Sequence, residues 1–213
     1  VLSSGGLLAW TSGTITGANL TATAQQSNAA ELRARVTGAS NTLTVDSIIT
    51  DSIDGAVTLS KTGDGTLKLT GINSFSGGVL IDGGVVEISD VANLGSLASN
   101  IIWSDATLRI TQDVNLSRTG LTRGQGNMIF DTQAFTLQTS AIGGYGSVIK
   151  KGSGTLILSD ANSFDGDITI LEGTAMSQAG TGGLFDNTTI LHVAAGATFD
   201  FNDNPEDFGA LEG

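Results

Sequence analysis

Apolar and polar positions along this chain alternate with a period of two, in short runs. In Thr66-Leu67-Lys68-Leu69-Thr70 the two leucines share one face, as do Val79 and Ile81, and Val86 and Ile88 on either side of Glu87. Leu108 and Ile110 flank Arg109, Phe135 and Leu137 flank Thr136, and Leu156 and Leu158 flank Ile157. Alternation of this kind, bounded by Gly, Asn, Asp and Ser, predicts short half-buried β-strands. The stretch Asn28 to Val36 has some helical character, but Leu32, Ala34 and Val36 alternate, so it too is read as strand. Turn clusters such as Gly71-Ile72-Asn73-Ser74 and Asp82-Gly83-Gly84 separate the runs, with no helical crossover between them.

A second, longer period overlies the first. Gly63 to Gly84 reads GDGTLKLTGINSFSGGVLIDGG, and Gly152 to Gly173 reads GSGTLILSDANSFDGDITILEG. Eleven of the 22 positions are identical without a gap, at an offset of 89, and Lys61 and Lys150 extend the match upstream. A fixed internal period indicates units that bury their apolar faces by stacking on neighbours. The 89 residues divide into about four coils of roughly 22 residues, which suits a parallel β-helix with a coil spacing of about 4.8 Å. The expected fold is therefore all-β, a parallel solenoid of roughly ten coils; a sandwich with hairpins is the competing arrangement. The identical spacing predicts that Leu67, Leu69, Leu156 and Leu158 enter one continuous core. It also predicts that the two Asn-Ser-Phe corners lie on the same edge of the rod.

The repeated residues are mostly of structural type. Recurring Gly63, Gly65, Gly77 and Gly84, with Gly152, Gly154, Gly166 and Gly173, mark turns that need positive φ or close backbone approach. Asn73 and Asn162 suit a tight corner, through left-handed φ or hydrogen bonds to nearby backbone. Phe75 and Phe164 follow two residues later and are placed to cover that corner.

Composition narrows the functional classes. The 213 residues include 30 Gly, 1 Pro and no Cys, with 39% hydrophobic and 14% charged residues; this excludes collagen and argues against disorder. The formal charge of −12 disfavours nucleic-acid partners. No apolar run is long enough to cross a bilayer as a helix, and Val1 opens no signal peptide, so the chain is expected to be an internal fragment. The lack of Cys fits either no need for it or export through an oxidising compartment in unfolded form.

At the two 22-residue copies the chain resembles the passenger-associated transport repeat of bacterial autotransporters. That pattern runs G-x-G-T-L-x-L-x-G-x-N-S/T-Y/F-x-G, followed by T-x-I/V and G-x-L-x-V. Gly63, Gly65, Thr66, Leu67, Leu69, Gly71, Asn73, Ser74, Phe75 and Gly77 fit it, as do Gly152, Gly154, Thr155, Leu156, Leu158, Asn162, Ser163, Phe164 and Gly166. Asp160 replaces the middle Gly, and Ala175 and Ser177 replace Val86 and Ile88, which predicts a thinner core there. The resemblance implies a right-handed β-helical passenger of type V secretion, reaching residues 61–96 and 150–186, with a third unit starting near 197–213. It further implies a single stalk segment over 1–213 that assists its own outer-membrane translocation. A C-terminal β-barrel of the parent chain would anchor it at the cell surface, where it would display adhesive or virulence functions toward a host-surface or carbohydrate receptor.

Catalytic chemistry is sparse. A hydrolytic triad needs a base beside a nucleophile, and the one His, His192, lies in Ile190-Leu191-His192-Val193, pointing away from Leu191. Asp165 with Asp167, and Asp46 with Asp51 and Asp54, are the nearest approach to paired carboxylates, and turn chemistry accounts for them. No spacing for Zn²⁺, phosphate or EF-hand Ca²⁺ binding appears. No catalytic residue, cofactor or metal is expected. Trp10, Trp103 and Tyr145 are candidates for carbohydrate stacking if exposed, and core or end covers if not. A carbohydrate-binding or carbohydrate-active β-helix is the alternative function; a serine-protease passenger would need a further domain.

Overall fold

A computed structural model describes residues 6–23, 30–117, 122–159, 162–178, 188–203 and 208–213. Every pair of neighbouring strands in it is parallel. The strands form three sheets, here faces I, II and III, of eight, ten and five strands among the described residues. The chain steps from I to II to III and back to I one coil higher, as in Val57–Thr62 (face I), Thr66–Leu69 (face II) and Val79–Asp82 (face I again). Helix is confined among the described residues to one 3₁₀ turn, Val91–Leu94. The fold is thus the expected parallel β-solenoid, and the antiparallel sandwich is excluded.

The coil count differs from expectation. The stack has about seven complete turns, not ten. An even division into 22-residue coils fails because coil length varies: 30 residues separate Gly13 from its partner Leu43, but 19 separate Leu67 from Val86. Among the described residues face III also has no strand until Val114–Leu116; below that level its side is formed by loops.

The alternating apolar residues point inward, as the period of two requires. Leu67, Leu69, Leu156 and Leu158 are all buried in one continuous core with Val86, Ile88, Leu108 and Ile110. Ala30–Val36 is a strand with Leu32, Ala34 and Val36 inside. Ala175 and Ser177 do thin the core. Ala175 stacks between Leu156 and Phe199, and the Ser177 hydroxyl donates to the Phe201 carbonyl at 2.7 Å. The replacement at Asp160 lies outside the described residues. Replacing Leu67 with Ala is expected to cost about 2–5 kcal/mol, because a wholly enclosed side chain leaves a cavity. Urea denaturation of the variant measures it, and a loss under about 1 kcal/mol would mean that the coil collapses around the gap.

The two repeat copies do not occupy the same side of the rod. Lys61 lies on face I, but Lys150 lies on face II; Leu67 and Leu69 lie on face II, but Leu156 and Leu158 lie on face III. The register explains why. The column above Lys61 runs through Ile81, Trp103, Gly124 and Gly144, so four turns end six residues short of Lys150. Those six residues carry the chain round one further corner. The Asn73 corner therefore sits on the side of face III and the Asn162 corner on that of face I, where Ser163–Phe164 pairs with Gly143 and Gly144. The expectation of one shared edge is overturned, because a period of 89 residues is four turns plus one side.

An ion ladder runs up the outside of face II. Lys68 Nζ lies 2.9 Å from Glu87 Oε1, Arg109 Nη1 lies 3.6 Å from Glu87 Oε2, and Arg109 Nε lies 2.9 Å from Asp131 Oδ2. The four residues occupy one register column, so the charges alternate coil by coil. Burial alone would raise the Asp131 pKa, but hydrogen bonds from Arg109 and Gln133 outweigh it and hold the carboxyl below its ordinary value. Asp131 therefore contributes stability above the unfolded-state value of about 4, and this is lost as pH falls through the lower folded-state value. Thermal melts at descending pH should show that loss in the native chain and not in an Asp131→Asn variant.

Candidate functional site: the clamp between coils

The repeat places polar groups where one coil meets the next. Lys61 follows Val57 and Leu59 at the same parity, so alternation turns it inward and the residue is buried. Its ammonium donates to the carbonyls of Thr62 at 3.0 Å and Gly63 at 2.6 Å, and to that of Gly83 in the coil above at 3.2 Å. Lys150 repeats the arrangement with Lys151 at 3.0 Å, Gly152 at 2.6 Å and Glu172 in the coil above at 3.0 Å. Each ammonium thus occupies a cage of three carbonyls, the third of which exists only when the next coil is in place. Burial lowers both lysines to about 8, with partial compensation from Asp64 and Asp82 at Lys61, and from Asp131 and Glu172 at Lys150.

The asparagines clamp in the other direction. Asn73 Oδ1 accepts from the Ile49 N–H of the coil below at 2.7 Å, and its Nδ2 donates to the Asn93 carbonyl of the coil above at 2.5 Å. Asn93 continues the column by donating to the Gly71 carbonyl at 2.9 Å. Asn162 Oδ1 likewise accepts from the Ile142 N–H of the coil below at 2.8 Å. Asn73 does not have positive φ, so hydrogen bonding and not left-handed backbone is what its corner uses.

The glycines divide by cause. Gly63 and Gly152 have φ of +80° and +82° and carry the turn whose carbonyls face the lysine. A Cβ on either would also strike backbone of the coil below, whereas Gly65, Gly77, Gly154 and Gly166 are needed for space alone. A Cβ on Gly77 would stand 2.6 Å from the Val57 carbonyl oxygen, and one on Gly166 would strike the Gly146 carbonyl. Thr66 and Thr155 open their strands with N–H bonds to the coil below, to Asn41 at 2.8 Å and Phe135 at 3.0 Å. Phe75 and Phe164 are buried, the Phe75 ring lying beneath Gly95.

The remaining candidates are dispersed. Asp51 accepts from the Val57 N–H, the Ser76 N–H and the Ser76 hydroxyl, Asp46 accepts from the Thr70 hydroxyl, and Asp165 and Asp167 accept from Gly146 and Ile190 N–H groups. His192 is half-buried on the outer side of face II, with Nδ1 3.1 Å from Glu212 Oε2 and Nε2 3.8 Å from Asp167 Oδ2. Among the described residues no group of three or more acids, His or Cys is arranged to hold a metal. Trp103 is buried against Phe130, with ring centroids 5.6 Å apart, which removes it from the stacking candidates; Trp10 and Tyr145 are exposed. The lysine cage was not foreseen from the sequence. Its signal was present, since a Lys at an inward position of an alternating strand recurs at the repeat offset.

Fold and clamp together define a repeat protein whose motif joins successive turns of a parallel β-solenoid. The profile of the passenger-associated transport repeat matches residues 59–88 and 148–174, so at these residues the chain is similar to autotransporter passengers. The chain is also 34% identical over 132 residues, 62% of its length, to the adhesin BmaC autotransporter of Brucella suis biovar 1 (strain 1330). It spans about 4% of the length of that relative. No solved structure matches.

Proposed function

We propose that this chain is a stalk segment of an adhesive autotransporter passenger, displayed at the bacterial surface and anchored through a C-terminal outer-membrane barrel of its parent chain. All of 1–213 then forms one right-handed solenoid, without enzymatic activity, and the repeats assist its translocation. The observation that carries this reading is the clamp. In both copies, groups from two successive coils complete one polar cage, so a folded coil offers the next a ready set of partners. Nearest-neighbour stacking lets folding propagate from one end, and a chain that folds as it emerges cannot slip back. The similarity to an adhesin supports an adhesive role. Antibody against this segment should label intact cells expressing the parent protein; labelling only after permeabilisation would refute the surface assignment.

Carbohydrate binding is the second reading, favoured by the exposed rings of Trp10 and Tyr145. Loss of glycan binding in a Tyr145→Ala variant would support it.

A further inference from the structure

The lower coils are closed on the third side by loops, residues 46–56, 70–78 and 89–100, which stack directly on one another. Ser47 lies beneath Gly71, the Ile49 N–H reaches Asn73, and the Ser96 N–H donates to the Phe75 carbonyl at 2.9 Å. Four large aliphatic side chains are exposed on this side: Ile48, Ile53, Ile72 and Leu97, with Ile53 at 101% and Ile72 at 72%. Most of the other exposed large apolar residues lie elsewhere for evident reasons; Leu8, Trp10, Phe201 and Leu211 sit at the two ends of the described stack.

The loops are rigidly held. At the tip, Ser52 and Gly55 exchange backbone hydrogen bonds of 3.0 and 3.2 Å, and the Asp54 N–H donates to the Ser52 hydroxyl at 2.9 Å. Asp51 ties the base of this tip to Ser76 of the next coil by two bonds of 2.8 and 2.6 Å. Ile53 and Asp54 therefore project together from a fixed turn, and the Asp54 carboxylate has no partner among the described residues. The three loops contain no Lys or Arg, and their charges are Asp46, Asp51, Asp54 and Asp90. By contrast, face II outside carries its ion ladder, in which opposite charges neutralise one another.

We propose that this loop side is the adhesive contact, and that its partner is a host-surface protein patch that combines apolar surface with Lys or Arg. This rests on the adhesive reading above. The charge pattern selects the partner. Loops whose only charges are acidic are repelled by anionic bilayers and attracted to a basic surface, and association should weaken with salt. Aliphatic side chains offer a sugar no flat π face, but they fill pockets between protein side chains. Fixed loops lose little conformational freedom on binding, which favours a preformed contact.

The test coats beads with the 213-residue chain and counts those held by a cultured epithelial monolayer. The native chain should bind, less at raised salt, and trypsin treatment of the monolayer should abolish binding where glycosidase treatment does not. Ile53→Ser with Ile72→Ser, and separately Asp54→Lys, should each lower bound beads at least about tenfold, while Tyr145→Ala leaves them unchanged. Denaturation midpoints of these surface variants should equal that of the native chain, which separates contact loss from unfolding. Binding retained by both loop variants would overturn the proposal, as would loss on glycosidase treatment or in Tyr145→Ala. If the native chain does not bind at all, the adhesive reading falls first and this assignment with it.

Discussion

Valine in place of Gly77 or Gly166 is expected to open the solenoid at that coil. Neither glycine needs positive φ; both lie where one coil's backbone passes against the next. A Cβ on Gly77 would meet the Val57 carbonyl carbon at 2.5 Å and the Thr58 nitrogen at 2.7 Å, and one on Gly166 would meet the Ser147 nitrogen at 2.6 Å. Those contacts are backbone, so no rotamer change relieves them, and the coils must separate along the hydrogen-bonded column. A cost above about 4 kcal/mol is expected, beyond ordinary overpacking because the displaced atoms belong to a sheet. Gly13 is the control, since a Cβ there has no heavy atom within 4 Å. Urea denaturation followed by circular dichroism should show Gly13→Val near native, and Gly77→Val and Gly166→Val unfolding far earlier. A midpoint shift equal to that of the control would mean that the coils are more loosely stacked than described.

The second large effect concerns the lysine cages. Methionine at Lys61 and Lys150 keeps the length and apolar stem but removes every donor to the three carbonyls. Orphaned buried carbonyls cost about 1–3 kcal/mol each, and relief from burying an ammonium offsets part of this. The net expectation is about 2 kcal/mol per site, or about 4 kcal/mol for both, because the sites are four coils apart and should be additive. The pH dependence has a defined sign. The folded-state value of about 8 lies below the ordinary lysine value of 10.5, so between them the unfolded chain binds more protons. The unfolding free energy of the native chain should therefore rise with pH across this window, the neutral amine still donating two hydrogens to its cage. The double Met variant should lack that rise. A native chain whose stability is flat or falls from pH 8 to 10.5, relative to the variant, would show that the carbonyls hold the ammonium charged.

Much of the architecture was legible in the sequence because it depends on parity. Leu67, Leu69, Leu156 and Leu158 are inward for the same reason that Lys68 and Ile157 are not, and a period of two states this directly. The phase of the repeats was not legible. An offset of 89 residues does not say how many corners the chain turns, and coil length changes with the loop between Gly71 and Gly78. Which of the two expected causes, positive φ or close approach, acts at Gly77 was not legible either. A glycine needed for space and one needed for positive φ look the same in a sequence, and the two were distinguished by the carbonyl of Val57. The lysine cage hid behind the habit of placing charge outside. Its clue was parity again, with Val148 and Lys150 on the same side of one strand.

We propose that the repeats join each coil to the next and that this joining draws the chain outward. The most direct test fuses the 213-residue chain to an outer-membrane barrel and follows its appearance on live cells by protease accessibility. Native sequence, Leu67→Ala and Gly77→Val are compared, with the loss of stability of each measured separately by denaturation. Both variants are expected to reach the surface more slowly, in the order of their loss of stability, and to be cut more readily once there. Variants that are destabilised yet appear at the native rate would contradict it, leaving the repeats a part in building the rod and none in moving it.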